Sequence, residues 1–129
     1  MGYRSEVVLA VGEELMPHFL NVMAQEPAAR SLVFKDNSTL RENYDGENTL
    51  LVSWSDIKWY TESYPEIGAI QKFVEDCDMN DMEGIDNTDE HFRFVRLGED
   101  PDDNEEKGSL HSWDICITRS LSFWKSVTW

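Results

Sequence analysis

A chain of 129 residues is long enough for one domain with a real core, because a chain of this length buries roughly two-thirds of its unfolded surface. Its 26 Asp and Glu against 11 Lys and Arg give a formal net charge of -15, a field that repels nucleic acid and anionic membrane and attracts cations and basic proteins. No apolar run approaches the ~18 residues of a membrane span, and the N-terminus lacks a charged region followed by a long apolar stretch, so a soluble cytoplasmic protein is expected.

The first predicted element is Glu6-Val7-Val8-Leu9-Ala10-Val11, a β-branched run ending at Gly12 that reads as a strand buried on both faces. A helix is predicted from Glu13 to Gln25, with Leu15, Met16, Phe19, Leu20, Val22 and Met23 on its apolar face and Pro17 near its first turn. Residues 26 to 48 are weakly patterned: Leu32-Val33-Phe34 suits a short strand or a helical turn, and Asp36-Asn37-Ser38 and Asp45-Gly46 read as turns.

The segment from Thr49 to Tyr60 is the one around which the fold is expected to organise. Leu50, Val52 and Trp54 alternate with Leu51, Ser53 and Ser55, the pattern of a core strand. Asp56 and Lys58 then break the alternation, and Ile57, Trp59 and Tyr60 suit a bend that lays large rings over the sheet edge. Ser63 and Glu66 have capping-box spacing with Pro65 in the first turn, and Ile67, Ile70, Phe73, Val74 and Cys77 recur as a buried helical stripe to about Asp78.

Met79 to Glu90 reads as an acidic loop, and His91 to Leu97 alternates as a third strand. After a polar stretch from Gly98 to Ser112, the parity of Trp113, Ile115, Ile117, Leu121 and Phe123 predicts one long final strand, antiparallel to the third. The predicted fold is therefore α+β: one domain over residues 1–129 in β-α-β-α-β-β order, with a mixed sheet, two packed helices and a C-terminal antiparallel hairpin. The mixed sheet is expected because helical crossovers favour parallel neighbours.

Few motifs point to catalysis. His18, His91 and His111 are scattered away from any nucleophile motif, and neither a phosphate-binding glycine loop, a nucleophile elbow nor a two-histidine zinc spacing is present. Asp76-x-Asp78-x-Asn80 and Asp100-x-Asp102-x-Asn104 have the one-three-five oxygen spacing of a calcium loop. The sixth position, however, is Asp81 or Glu105 instead of Gly, and the twelfth is Asn87 or His111 instead of Glu. No metal and no cofactor are expected. Cys77 and Cys116 have no close spacing, which gives neither a metal pair nor a disulfide framework, and both are expected reduced and buried. Trp54, Trp59, Trp113 and Trp124 lie on predicted strands or their ends, where core packing or edge cover is the ordinary role.

The unusual feature is where the charge lies. Residues 75 to 106 hold 14 Asp and Glu against Arg93 and Arg96, a net of -12. Two acidic patches are candidates for a partner-binding face. One is Asp76, Asp78, Asp81 and Glu83; the other is Glu99, Asp100, Asp102, Asp103, Glu105 and Glu106. On extended backbone, residues two apart are roughly 7 Å apart, so alternate carboxylates form a phosphate-like row of charge. An alternative site is a stacking pocket for a nucleotide formed by Trp54, Lys58, Trp59 and Tyr60.

Met1-Gly2-Tyr3-Arg4-Ser5 ahead of a strand, Trp54-x-x-Ile57-Lys58-Trp59-Tyr60, Pro65-Glu66-Ile67 opening a helix, and Phe92-x-Phe94-x-Arg96-x-Gly98-Glu99-Asp100 together resemble small accessory proteins of tailed bacteriophages. The resemblance covers residues 1 to about 106 and consists of packing and turn residues. It implies a non-enzymatic protein in the host cytoplasm that inhibits a host defence complex or nucleic-acid enzyme, as anti-CRISPR proteins and DNA mimics do. The partner it implies is a host protein with a basic nucleic-acid-binding surface, with no direct contact to nucleic acid or membrane. The alternative is a binder of a small molecule or nucleotide signal. A carboxylate and metal hydrolase has no local support.

Overall fold

The computed structural model describes residues 3–79, 84–100, 102–120 and 124–128. The elements are β1 (Ser5–Val11), α1 (Met16–Gln25), α2 (Pro27–Phe34), β2 (Thr39–Arg41), β3 (Leu50–Ile57), α3 (Pro65–Asp78), β4 (Phe92–Gly98), β5 (Asn104–Lys107), β6 (Cys116–Ser120) and β7 (Trp124–Thr128), with short 3-10 turns before α1 and β4. The chain is α+β, built on a five-stranded sheet in the order β2-β3-β1-β4-β5 with a separate β6-β7 ribbon.

Every pairing is antiparallel, which corrects the expected mixed sheet. The crossovers behave as expected, but their parallel strands are not neighbours. β1 leads through α1 and α2 to β2, which runs parallel to it with β3 inserted between; β3 leads through α3 to β4, again parallel, with β1 inserted between. Three helices replace the two predicted. The prediction missed β2 because three residues between turn signals show no alternation, and it missed α2 because Pro27 starts a helix of only eight residues.

The strand alternation divides two cores. Val7, Leu9, Val11, Val52, Trp54, Phe92 and Phe94 face the helices and meet Phe19, Met23, Val33, Ile67, Ile70, Phe73 and Val74. Val8, Ala10, Leu51 and Val95 face the other way and pack on Ile115, with Tyr44, Leu110, Ile117 and Val127 around them. Covered on both faces, β1 is buried from Val7 to Val11, as its apolar run predicted.

The break in pattern at Asp56 is a β-bulge. Ser5 faces Ile57 while Val7 faces Trp54, so Ser55 and Asp56 both stand opposite Glu6, and Asp56 takes φ 58°. The bulge turns the chain so that Trp59 lies over the sheet, its ring 5.5 Å from Trp54 and 5.9 Å from Phe94. α3 matches its predicted stripe, although Tyr64, not Ser63, is the N-cap and no side chain caps it.

The C-terminal part departs most from the predicted pattern. Besides β1, the partner of β4 is β5, formed inside the acidic run itself, and not the segment after Ser112. That segment turns at residues 111–114, leaves Trp113 94 % exposed, and begins β6 only at Cys116. Trp113 therefore neither packs in a core nor covers an edge. Leu121 and Phe123, assigned to the same predicted strand, lie outside the described residues. Leu20, placed on the buried face of α1, is 46 % exposed. Cys77 is buried and Cys116 half-buried, and both are free.

Candidate functional site

The six carboxylates from Glu99 to Glu106 sit on the β4-β5 hairpin, where a strand's period of two sends them in opposite directions. Arg96 and Glu105 stand directly opposite each other, as do Val95 and Glu106. Glu105 thus faces α3 and Glu106 faces the β6 side. Arg93 and Arg96 are an odd number of residues apart and also point to opposite faces, so each meets a carboxylate.

Arg96 donates Nε to Glu105 Oε1 at 3.1 Å and forks onto Asp103, with Nη2 to Oδ1 at 2.7 Å and Nη1 to Oδ2 at 3.2 Å. The Asp103 carboxyl is held below its ordinary range, first by Arg96 and then by the Tyr3 hydroxyl. On the other face Arg93 donates to the carbonyls of Ile115 at 2.9 Å and Gly108 at 2.8 Å, and to Glu106 Oε1 at 3.2 Å. Lys107 Nζ lies 3.7 Å from Glu105. Asp103, Glu105 and Glu106 therefore brace the hairpin, and among the described residues they do not form a row of free alternate charges.

The free charge is at the hairpin tip. Glu99, Asp100 and Asp102 are exposed, and among the described residues no Lys or Arg side chain pairs with them. Glu99 Oε1 accepts the Arg4 backbone N–H at 2.8 Å, the Asp100 N–H donates to Tyr3 Oη at 2.9 Å, and the Tyr3 N–H donates to Tyr60 Oη at 2.6 Å. The N-terminal segment and the bend after β3 thus hold the tip in place. A Cβ at Gly98 would displace the Asp103 carboxylate and the Tyr3 hydroxyl, the two groups that join the tip to Arg96 and to the N-terminal segment.

A cleft of about 360 Å³ opens beside the tip, lined by Tyr3, Trp59, Tyr60, Gln71, Glu75, Arg96, Asp103 and Glu105. Gln71 bridges its floor, accepting the Trp59 indole N–H at 2.8 Å and donating to Glu105 at 3.4 Å. With one arginine among three carboxylates, the lining remains negative and suits a cationic side chain of a partner.

The described part of the second acidic patch lies along the last turn of α3. α3 starts beside the tip, where Tyr60 meets Tyr3, and ends where Thr88 donates to the Cys77 carbonyl at 2.7 Å, beside the start of β4. Asp78 is seven residues beyond Gln71, about 10 Å further along the helix and away from the tip. Asp76 is paired with Lys72 at 3.0 Å. Asp81 and Glu83 lie outside the described residues. Among the described residues the second patch thus begins next to the cleft, where Glu75 precedes Asp76, and runs away from the tip to Asp78.

The aromatic group does not converge either. Trp54 and Trp59 are buried, Trp54 donating its indole N–H to the Leu32 carbonyl at 3.0 Å, and their rings pack on each other without room for a base between them. Lys58 opens onto a separate depression with Trp54, Arg4, Asp36, Asp56 and Glu66, while Tyr60 lines the cleft and stacks on Tyr64.

One constellation escaped the sequence reading. His111 Nε2 lies 2.7 Å from Asp45 Oδ2, which also accepts the Thr49 hydroxyl at 2.6 Å. Burial raises the Asp45 carboxyl, but Thr49, His111 and the N–H groups of Glu47 and Thr49 outweigh it and hold the group far below the usual carboxylate range. The other ring nitrogen faces Asp114 at 4.0 Å and Tyr44 packs edge-on against the ring. The cluster pins the turn before β3 to the loop before β6. Residues 66 apart in sequence gave no signal of it. Among the described residues no group of three or more His, Cys, Asp or Glu is placed to hold a metal ion, and no helix is long and apolar enough to cross a membrane. No family model matches the chain, and neither a curated protein nor a solved structure matches it.

Proposed function

We propose that the chain is a non-enzymatic binding protein that blocks a basic, nucleic-acid-binding surface on another protein, and that the hairpin-tip end of the sheet makes the contact. The observation that carries this reading is the division of the hairpin charge: Asp103, Glu105 and Glu106 are paired with Arg96, Lys107 and Arg93, whereas Glu99, Asp100 and Asp102 stand exposed with no Lys or Arg side chain paired to them among the described residues. The paired set stiffens the hairpin and the free set presents charge beside a negative cleft. The contact is thus narrower than a row of charge along the whole acidic run, and the -15 net charge adds long-range steering to it. In keeping with the resemblance to phage accessory proteins, the partner class is a host defence or nucleic-acid enzyme.

The test is comparative capture from a bacterial lysate. Immobilised chain should retain basic nucleic-acid-binding proteins at about 0.05 M salt and lose most of them near 0.3 M, and the recovered partner should lose a labelled duplex when the chain is added. The Glu99→Gln/Asp100→Asn/Asp102→Asn variant should retain them at least about tenfold less. Equal retention by variant and wild type would end the proposal.

A further inference from the structure

Part of the described surface inverts the acidic trend. Along the outer side of α1 and α2 runs a groove of about 680 Å³ lined by Leu20, Met23, Ala24, Pro27, Arg30, Ser31, Phe34 and Lys35. In a chain with 26 Asp and Glu against 11 Lys and Arg, this lining holds two cations and no carboxylate. Arg30 and Lys35 are exposed and, unlike Arg93, Arg96 and Lys107, form no ion pair among the described residues. Between them lie two large apolar side chains in water, Leu20 at 46 % and Phe34 at 36 % exposure.

The helix periodicity explains the arrangement. Phe19 and Met23 of α1 and Ala29 and Val33 of α2 are spent on the core. Leu20 and Ala24, one turn apart, and Arg30 and Phe34, also one turn apart, form a second stripe that the sheet does not need. Apolar side chains exposed next to one another and flanked by charged groups are a feature of interaction sites.

We propose that this groove binds an acidic amphipathic helix of a partner protein, its apolar anchors on Leu20 and Phe34 and its carboxylates on Arg30 and Lys35. Charge complementarity selects this occupant. A basic segment would meet Arg30 and Lys35 and is drawn instead to the acidic tip. A second copy seated groove to groove would offer Arg30 and Lys35 no carboxylate, since the lining has none, and would set two molecules of charge -15 against each other. A helix with anchors at i, i+3, i+4 and i+7 and Glu on its flanks satisfies both the apolar and the cationic parts of the lining. This site is independent of the hairpin tip and does not rest on the reading given to it.

The experiment uses a synthetic peptide of about 16 residues with Leu and Phe on one helical face and Glu on the other, and a control of the same composition with the pattern scrambled. Amide shifts of the full chain are followed by NMR as each is added. The patterned peptide should shift the amides of Leu20, Ala24, Arg30, Ser31 and Phe34, and the scrambled one should not. Arg30→Glu/Lys35→Glu should weaken binding at least tenfold and Phe34→Ser should do so as well, with unchanged circular dichroism because all three side chains are exposed. No shift at millimolar peptide, equal binding by the scrambled control, or concentration-dependent shifts of the same amides without peptide would overturn the proposal, the last by assigning the groove to a second copy.

Discussion

Replacing Arg96 by Met removes the one cation that faces both Asp103 and Glu105, and the structure sets the size of the effect. Three charge-assisted hydrogen bonds to carboxylates are lost, at 3.1, 3.2 and 2.7 Å; Asp103 loses its arginine, and Glu105 keeps only Lys107 at 3.7 Å. A fully buried charge stripped of its partner costs about 3–5 kcal/mol. Here the Arg96 side chain is 13 % exposed but Asp103 and Glu105 are 38 % and 30 % exposed, so water recovers part of the loss, and about 2–3 kcal/mol is expected. For a chain of this length that lowers Tm by roughly 10 °C. Urea unfolding of Arg96→Met, Asp103→Asn and the double variant gives the coupling directly, and the cycle should return at least about 1 kcal/mol. The same variant adds one net negative charge beside the tip, so its association with a basic partner should be faster even as its stability falls. A stability loss under about 0.5 kcal/mol would show that the hairpin carboxylates are not held by this arginine, and would refute the division into paired and free charge.

Acid should unfold the protein through depressed carboxyls. Asp103 and Asp45 both titrate below their ordinary range when folded, so their stabilisation is present above the unfolded carboxylate range of about pH 4 and is lost as pH falls through the folded values; the urea midpoint should drop as pH is lowered below about 4, and less steeply in Asp103→Asn. Gly108 has φ +80° and its Cβ would fall on the Phe92 carbonyl, so Gly108→Ala should cost about 2–4 kcal/mol by thermal unfolding, and a neutral result would contradict the close approach of β4 and the turn after β5. Burial pushes the Cys77 thiol up to about 12, with Asp76 and Asp78 adding to it, so a thiol reagent at pH 8 should label only Cys116 in the native protein and reach Cys77 only on unfolding.

How far the sequence was legible depended on whether an element is specified by its own residues or by a distant neighbour. α3 carries its stripe within fourteen residues, and β1 and β3 carry theirs within seven and eight, so their positions follow from periodicity. β5 is Asn-Glu-Glu-Lys, residues that disfavour strands, and at the sheet edge its charge is compensated by Arg96 directly opposite Glu105 and by Arg93, which reaches Glu106. The fate of the acidic residues was unreadable for the same reason. One signal was available: Arg93 and Arg96, three apart on a predicted strand, point to opposite faces, and the consecutive Glu105 and Glu106 do so too. Seeing that match requires recognising the acidic run as the partner of that strand. The Asp45–His111 contact and the groove on α1 and α2 depend on packing between separate segments, which no local pattern records.

The most direct test of the account is the association rate of the captured partner with two variants of equal net charge. One neutralises the tip, Glu99→Gln/Asp100→Asn/Asp102→Asn; the other neutralises three exposed carboxylates near the opposite end of the sheet, Glu13→Gln/Glu42→Gln/Glu47→Gln. The account predicts a loss of at least about tenfold for the first and less than about threefold for the second. Equal losses would assign binding to overall charge and not to the hairpin tip, and would contradict the site proposed for it.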